Sequence, residues 1–202
     1  MPSPLGHALA GLATAWGADA ASGPTMAKGP GGSAVRPAAP AHWLGSLAAW
    51  CILLAAIPDV DLLFHAHRSF THSVTAVGLV IIVSAAVTGW VTHLPPLRVS
   101  FTCGCAYATH LLLDWLAADK YLPYGIQIFW PFSRTWFISG LDLFPQTERL
   151  QLLSARTIRI NLTAMAWEAV ILLPVVAVVG LVRVKALAGL ASKVTGGDHP
   201  SQ

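Results

Sequence analysis

From Val74 to Leu97 the chain holds no Asp, Glu, Lys or Arg. Wound as a helix, that run is long enough to cross roughly 30 Å of hydrocarbon. Trp43–Phe64, Val99–Ala118 and Leu162–Val182 qualify too, with a few polar interruptions, and Pro4–Ala20 is a weaker candidate rich in Ala and Gly. The pattern predicts an all-α fold: a polytopic helical membrane bundle of four to five transmembrane helices. Residues 22–41 are rich in Gly, Pro and Ser and read as a flexible loop. Leu94–Arg98 reads as a tight turn between two spans. Residues 119–161 contain "YLPYGIQIFWPFSRTWF", whose aromatics predict a loop lying at the membrane–water interface. One membrane-embedded domain over 1–185 is expected, followed by a polar, disordered tail over 186–202.

Composition agrees with the pattern. The 202 residues are 55% hydrophobic and only 10% charged, and mean hydropathy is +0.63, which is membrane-protein territory. Met1–Leu5 lacks the basic residues of a signal-peptide n-region. Cys51, Cys103 and Cys105 lie inside apolar runs and do not suggest a disulfide framework; "CGC" reads as small residues at a helix interface. The net charge of +3 is spread along the chain, with no basic run to recruit nucleic acid.

Alternation of five spans brings the N-terminus, the 65–73 loop and the 119–161 loop to one face. That places His7, Asp59, Asp61, His72, His110, Asp114 and Glu168 at similar depth, with His42 and His93 at the opposite face. Lys and Arg divide six and six between the two faces, so the positive-inside rule does not orient the chain.

His110 and Asp114, four apart in "HLLLD", project from one helical face and make a two-ligand clamp for a divalent cation, or else a His–Asp hydrogen bond within a bundle. In "IPDVD", Pro58 predicts that the span bends or ends nearby, turning Asp59 inward. Asp61 is either a helper or an acid marking the water interface. In "RSFTHS", Ser69 and Thr71 are candidate N-caps, with His72 in the first turn of the next span. His65 and His67 read as solvated bystanders. The set His7, Asp59, His72, His110 and Asp114 mixes N and O donors suited to zinc or another transition metal, as one ion or as two sharing a carboxylate. Asp61 and Glu168 are the candidate general bases, although Glu168 can equally pair with an arginine inside the bundle. Arg68 and Arg134 are candidate ligands for an anionic substrate group, or ordinary interfacial arginines.

At these positions the chain resembles the YdjM-like family of bacterial inner-membrane proteins, predicted metal-dependent hydrolases. The resemblance is carried by "GHALAG" at 6–11, "IPDVDLLF" at 57–64, "RSFTHS" at 68–73, "HLLLD" at 110–114, "YGIQIFWPFS" at 124–133 and "WEAVILLP" at 167–174. It implies a multi-pass protein of the bacterial inner membrane with a metal-dependent hydrolase site. The order of His7, Asp59, His72, His110 and Asp114 is also similar to the ligand order of zinc-dependent phospholipase C. That likeness lacks the later histidine pair and the N-terminal tryptophan ligand, and stands as analogy. The resulting expectation is a hydrolase in the lipid bilayer that acts on a phosphoester or other ester, with a lipid as one candidate substrate. The alternative is a non-enzymatic, metal-stabilised membrane scaffold or regulatory protein.

Overall fold

A computed structural model describes the backbone of residues 1–22, 27–28, 34–35, 40–64, 68–91 and 94–195. His65, His67 and His93 fall outside the described residues. Five helices account for most of the rest: α1 (Pro4–Ser22), α2 (Pro40–Ala56), α3 (Val74–Val91), α4 (Pro96–Leu116) and α5 (Ala155–Thr195). Between α1 and α2, Ala27–Lys28 and Ala34–Val35 pair as a minimal antiparallel ladder.

Two of these helices, α3 and the Ala155–Gly189 part of α5, are long and apolar enough to cross a membrane. Their outer faces expose Ile82, Trp90, Val170 and Leu181, side chains that a water-facing surface of this extent would not carry. The four to five spans expected from hydropathy are therefore matched in helix number, whereas span-like length and apolarity are found in two. Helix α2 ends at Ala56 because Pro58 has no N–H to donate. The chain then tightens into a 3₁₀ helix, Ile57–Phe64, so the single span expected over Trp43–Phe64 is two elements.

Helix α1 packs against α2, α4 and α5, and α3 packs against α4. Close approach is set by small residues. A Cβ on Gly11 would lie 2.4 Å from the carbonyl oxygen of Cys51, and one on Gly104 would lie 2.3 Å from Cγ1 of Ile81. The "CGC" stretch is thus a packing feature between α3 and α4.

The segment from Ala117 to Ser154 folds over one end of the bundle. Ile126 and Phe144 are buried beneath it, while Leu122, Phe132 and Leu153 remain largely exposed. Backbone hydrogen bonds stitch it to the neighbouring elements: Val74 N–H donates to Ile128 O, Gln127 N–H to Arg68 O, and Thr147 N–H to Met1 O. The N-terminus, the 68–73 segment and this loop therefore share one face. Helix α5 begins at Ala155, earlier than hydropathy suggests, and continues past Lys185 to Thr195 into the stretch expected to be a disordered tail.

Candidate metal centre

Three elements deliver four donor residues to that face. His110 and Asp114 come from the last turns of α4, Asp59 from the 3₁₀ helix, and His72 from the segment before α3. Ligand atoms of these four residues lie within 4.8 Å of one another. Nε2 of His72 and Nε2 of His110 are 3.1 Å apart, and each is 3.3 Å from Asp114 Oδ2. Asp59 Oδ1 lies 3.7 Å from His72 Nε2 and 3.6 Å from His110 Nε2. A tetrahedral ion with bonds of about 2.0–2.1 Å needs donor–donor edges of about 3.3–3.4 Å. Five of the cluster's donor–donor distances, 3.1 to 3.7 Å, lie close to that value.

Helix α1 adds His7. Its ring stacks on His110 with centroids 3.8 Å apart, and its Nε2 lies 3.6 Å from Asp114 Oδ1 and 4.0 Å from Asp59 Oδ2. His7, His72 and His110 are fully buried and Asp114 nearly so; Asp59 keeps 21% of its side chain accessible. Both ring nitrogens of His7, both oxygens of Asp114 and Oδ1 of Asp59 are shut from solvent without a well-formed hydrogen bond. Asp59 and Asp114 offer carboxylate oxygens within 4.8 Å of each other, close enough for two like charges to repel strongly in a site of reduced dielectric. Uncompensated charge and orphaned donors of this kind call for a cation between them. The residues fit a divalent metal.

The tautomers are fixed from behind. His110 Nδ1 donates to the carbonyl oxygen of Ala55 at 2.7 Å, leaving its Nε2 lone pair facing the centre. That carbonyl is available because, in 3₁₀ register, its partner would be the N–H that Pro58 lacks. His72 Nδ1 faces Asp61 Oδ2 at 3.2 Å. The same oxygen accepts the Thr71 hydroxyl and, at 3.2 Å, the N–H of Arg68. This is the carboxylate–histidine–metal arrangement that orients ligands in metal sites. Asp59 and Asp61 thus touch opposite nitrogens of one imidazole.

The surroundings also shape protonation. Burial alone would lower His72, but the facing carboxylates of Asp114, Asp59 and Asp61 hold its imidazolium well above the ordinary 6.5. Burial pushes Asp59 up, and the imidazoles of His72, His110 and His7 bring its carboxyl below the usual range.

Several expected roles change. Ser73 caps α3 by accepting Ala76 N–H at 3.2 Å, so neither Ser69 nor Thr71 is the cap, and His72 precedes the helix. Glu168 is the fourteenth residue of α5, deeper than the two turns expected, because that helix starts among charged residues. Its Oε1 accepts Ser3 N–H at 2.7 Å and its Oε2 accepts the Ser3 hydroxyl. Gly6 leaves room for this approach, since a Cβ there would lie 2.7 Å from Glu168 Oε2. Glu168 therefore holds the start of α1, one turn before His7, and turns neither oxygen to the centre. The Arg68 guanidinium makes a bidentate pair with Asp119 at 2.5 and 3.0 Å and also donates to the carbonyls of Tyr121 and Pro123. Arg134 is exposed on the loop, outside the cluster, and its carbonyl accepts Gln127 Nε2.

Sequence reasoning passed over Ser3, Asp119 and the Ala55 carbonyl. Ser3 before Pro4 carries an N-cap signature that was readable, and Asp119 stood on the same face as Arg68. The carbonyl has no side-chain signal at all.

A family model described as YdjM inner membrane protein matches residues 1–188. No curated protein and no solved structure matches the chain. The likeness to phospholipase C accordingly rests on ligand order alone.

Proposed function

The chain belongs to the YdjM inner membrane protein family, and from that membership together with the buried donor cluster we propose that it is a multi-pass, membrane-bound, metal-dependent hydrolase of phosphoesters or other esters. The observation that carries the reading is the convergence of orphaned donors from His7, Asp59 and Asp114 on the His72–His110 pair. His72, His110, Asp59 Oδ1 and Asp114 Oδ2 would hold one divalent ion, and the N/O donor set and its tetrahedral spacing suit zinc. His7, which faces Asp59 and Asp114, would complete a donor set able to hold a second ion. Such ions supply Lewis acidity, polarising an ester oxygen and acidifying water.

The protein's own groups do the rest. Asp59, the partly exposed donor, marks the side from which substrate reaches the centre. Asp61 orients His72, and Glu168 orients His7 through the first turn of α1; both act as positioning residues, in place of the general-base roles expected from sequence. Arg68 anchors the loop that closes over this end. Hydrolysis joins the water oxygen to phosphorus or carbonyl carbon, breaks the bond to the leaving alcohol, and returns a proton to that alcohol.

Metal analysis of purified protein, followed by hydrolysis assays over phosphoesters and phospholipids, tests the proposal. Stoichiometric metal lost in His110→Ala and Asp114→Ala, with turnover abolished by chelation and restored by metal, is the expected result. Unchanged metal in both variants overturns the assignment. A second reading, a closed structural metal site in a scaffold protein, is favoured by the four-donor set and the deep burial of three of its members. Metal retained without any turnover would select it.

A further inference from the structure

A groove of about 560 Å³ runs between α2, α3 and α4 on the flank of the bundle, within the volume range of small-ligand sites. Its walls are almost wholly apolar, with Trp50 and Leu54 from α2, Val80, Val83 and Val87 from α3, and Cys103 from α4. Of its two hydroxyl residues, Ser84 and Thr88, Ser84 at the middle turns its hydroxyl back to Val80 O at 2.6 Å and so offers little to a polar guest. One wall is α3, a helix fit to cross a membrane, and the groove follows it from Val80 to Val91, roughly 16 Å of helix rise. One of its lining residues, Leu54, precedes Ala55 in α2, whose carbonyl accepts the His110 Nδ1–H. Exposed apolar side chains link the groove to the metal centre. Trp50, Leu53, Ile57 and Val60 follow helical spacing along α2 and the 3₁₀ helix, ending next to Asp59.

We propose that this groove binds an acyl chain of a bilayer lipid, and that the substrate class of the centre is therefore an ester-linked membrane lipid. The second half rests on the hydrolase reading above; the first does not. The apolar lining excludes a headgroup, and the groove's length along a membrane-fit helix suits an extended hydrocarbon chain. The stripe from Trp50 to Val60 leads that chain's polar end to the one donor with solvent access. A water-soluble ester would need none of this surface.

The test is photocrosslinking from p-benzoylphenylalanine placed at Val83, inside the groove, and at Ile82, on the outer face of α3, in the full chain. After exchange from membranes into detergent, the Val83 probe is expected to capture a diacyl lipid while the Ile82 probe loses it. Equal loss at both positions, or capture at Val83 of the 23–39 segment or a second copy of the chain, overturns the groove assignment. Ser84→Trp, which fills the groove, should lower hydrolysis of dipalmitoyl phosphatidylethanolamine about tenfold or more while sparing the dihexanoyl form and the bound metal. Equal rates on both lipids in that variant overturn the substrate class. A retained lipid at Val83 with no hydrolysis of either form leaves the groove standing and defeats the hydrolase reading instead.

Discussion

Asp61 meets His72 at the ring nitrogen turned away from the Asp59–His110–Asp114 cluster, 3.2 Å from Nδ1. The contact keeps Nε2 aimed at His110 and Asp114. Asp61→Ala should leave the four inner donors in place yet weaken metal binding about 10–100-fold, the usual effect of losing such a partner. Competition against a chelator of known affinity measures it. If Asp61 were instead a general base, the variant would keep its metal affinity and lose turnover alone.

Metal uptake should release protons. The proton that the facing carboxylates hold on His72, raised well above 6.5, must leave when Nε2 takes an ion. For a raised group, the stabilisation of the metal-free protein is fully present below the unfolded value and is lost as pH rises through the folded value. Metal affinity runs the other way and should strengthen with rising pH across that same window. Calorimetry in two buffers of different ionisation enthalpy counts the protons released.

Glu168 separates two roles by its choice of substitute. Glu168→Ala strands the buried N–H and hydroxyl of Ser3 and should destabilise the fold by about 1–3 kcal/mol, read as a lower melting temperature in detergent. Glu168→Gln retains an acceptor for the Ser3 N–H and should be milder, with turnover close to that of the unaltered chain. Abolished turnover in the stable Gln variant would restore a catalytic role.

Arg68 and Asp119 form a nearly buried pair between the pre-α3 segment and the loop after α4. Removing either partner leaves the other charge buried, at about 3–5 kcal/mol. Arg68→Ala and Asp119→Ala should therefore each destabilise strongly, and the double variant by less than their sum. Additive losses in a thermal double-mutant cycle would show that the pair is not coupled.

The cluster of Asp59, His72, His110 and Asp114 was legible because each stands near the end of an apolar run, which is why the sequence reading set them, with His7, at one face. Depth was harder to read. Arg156 and Arg159 depress hydropathy at the start of α5 without ending the helix, which hid the true position of Glu168. Arg68 looked free because its partner lies in a different loop, and an ion pair 51 residues apart leaves no local pattern. The 3₁₀ turn after α2 was foreseeable only as an interruption at Pro58. Its consequence, two aspartates on opposite sides of a single imidazole, depends on backbone geometry that no local sequence pattern carries.

Pro58 reaches further than its own ring. By withholding one N–H it frees the Ala55 carbonyl, and that carbonyl decides which nitrogen of His110, on another helix, keeps its lone pair. A residue with no donor to offer a metal is thereby part of what selects the ligand atom. Changes at such a position would be misread as loosening a bend, when they also release the contact that fixes which tautomer His110 adopts.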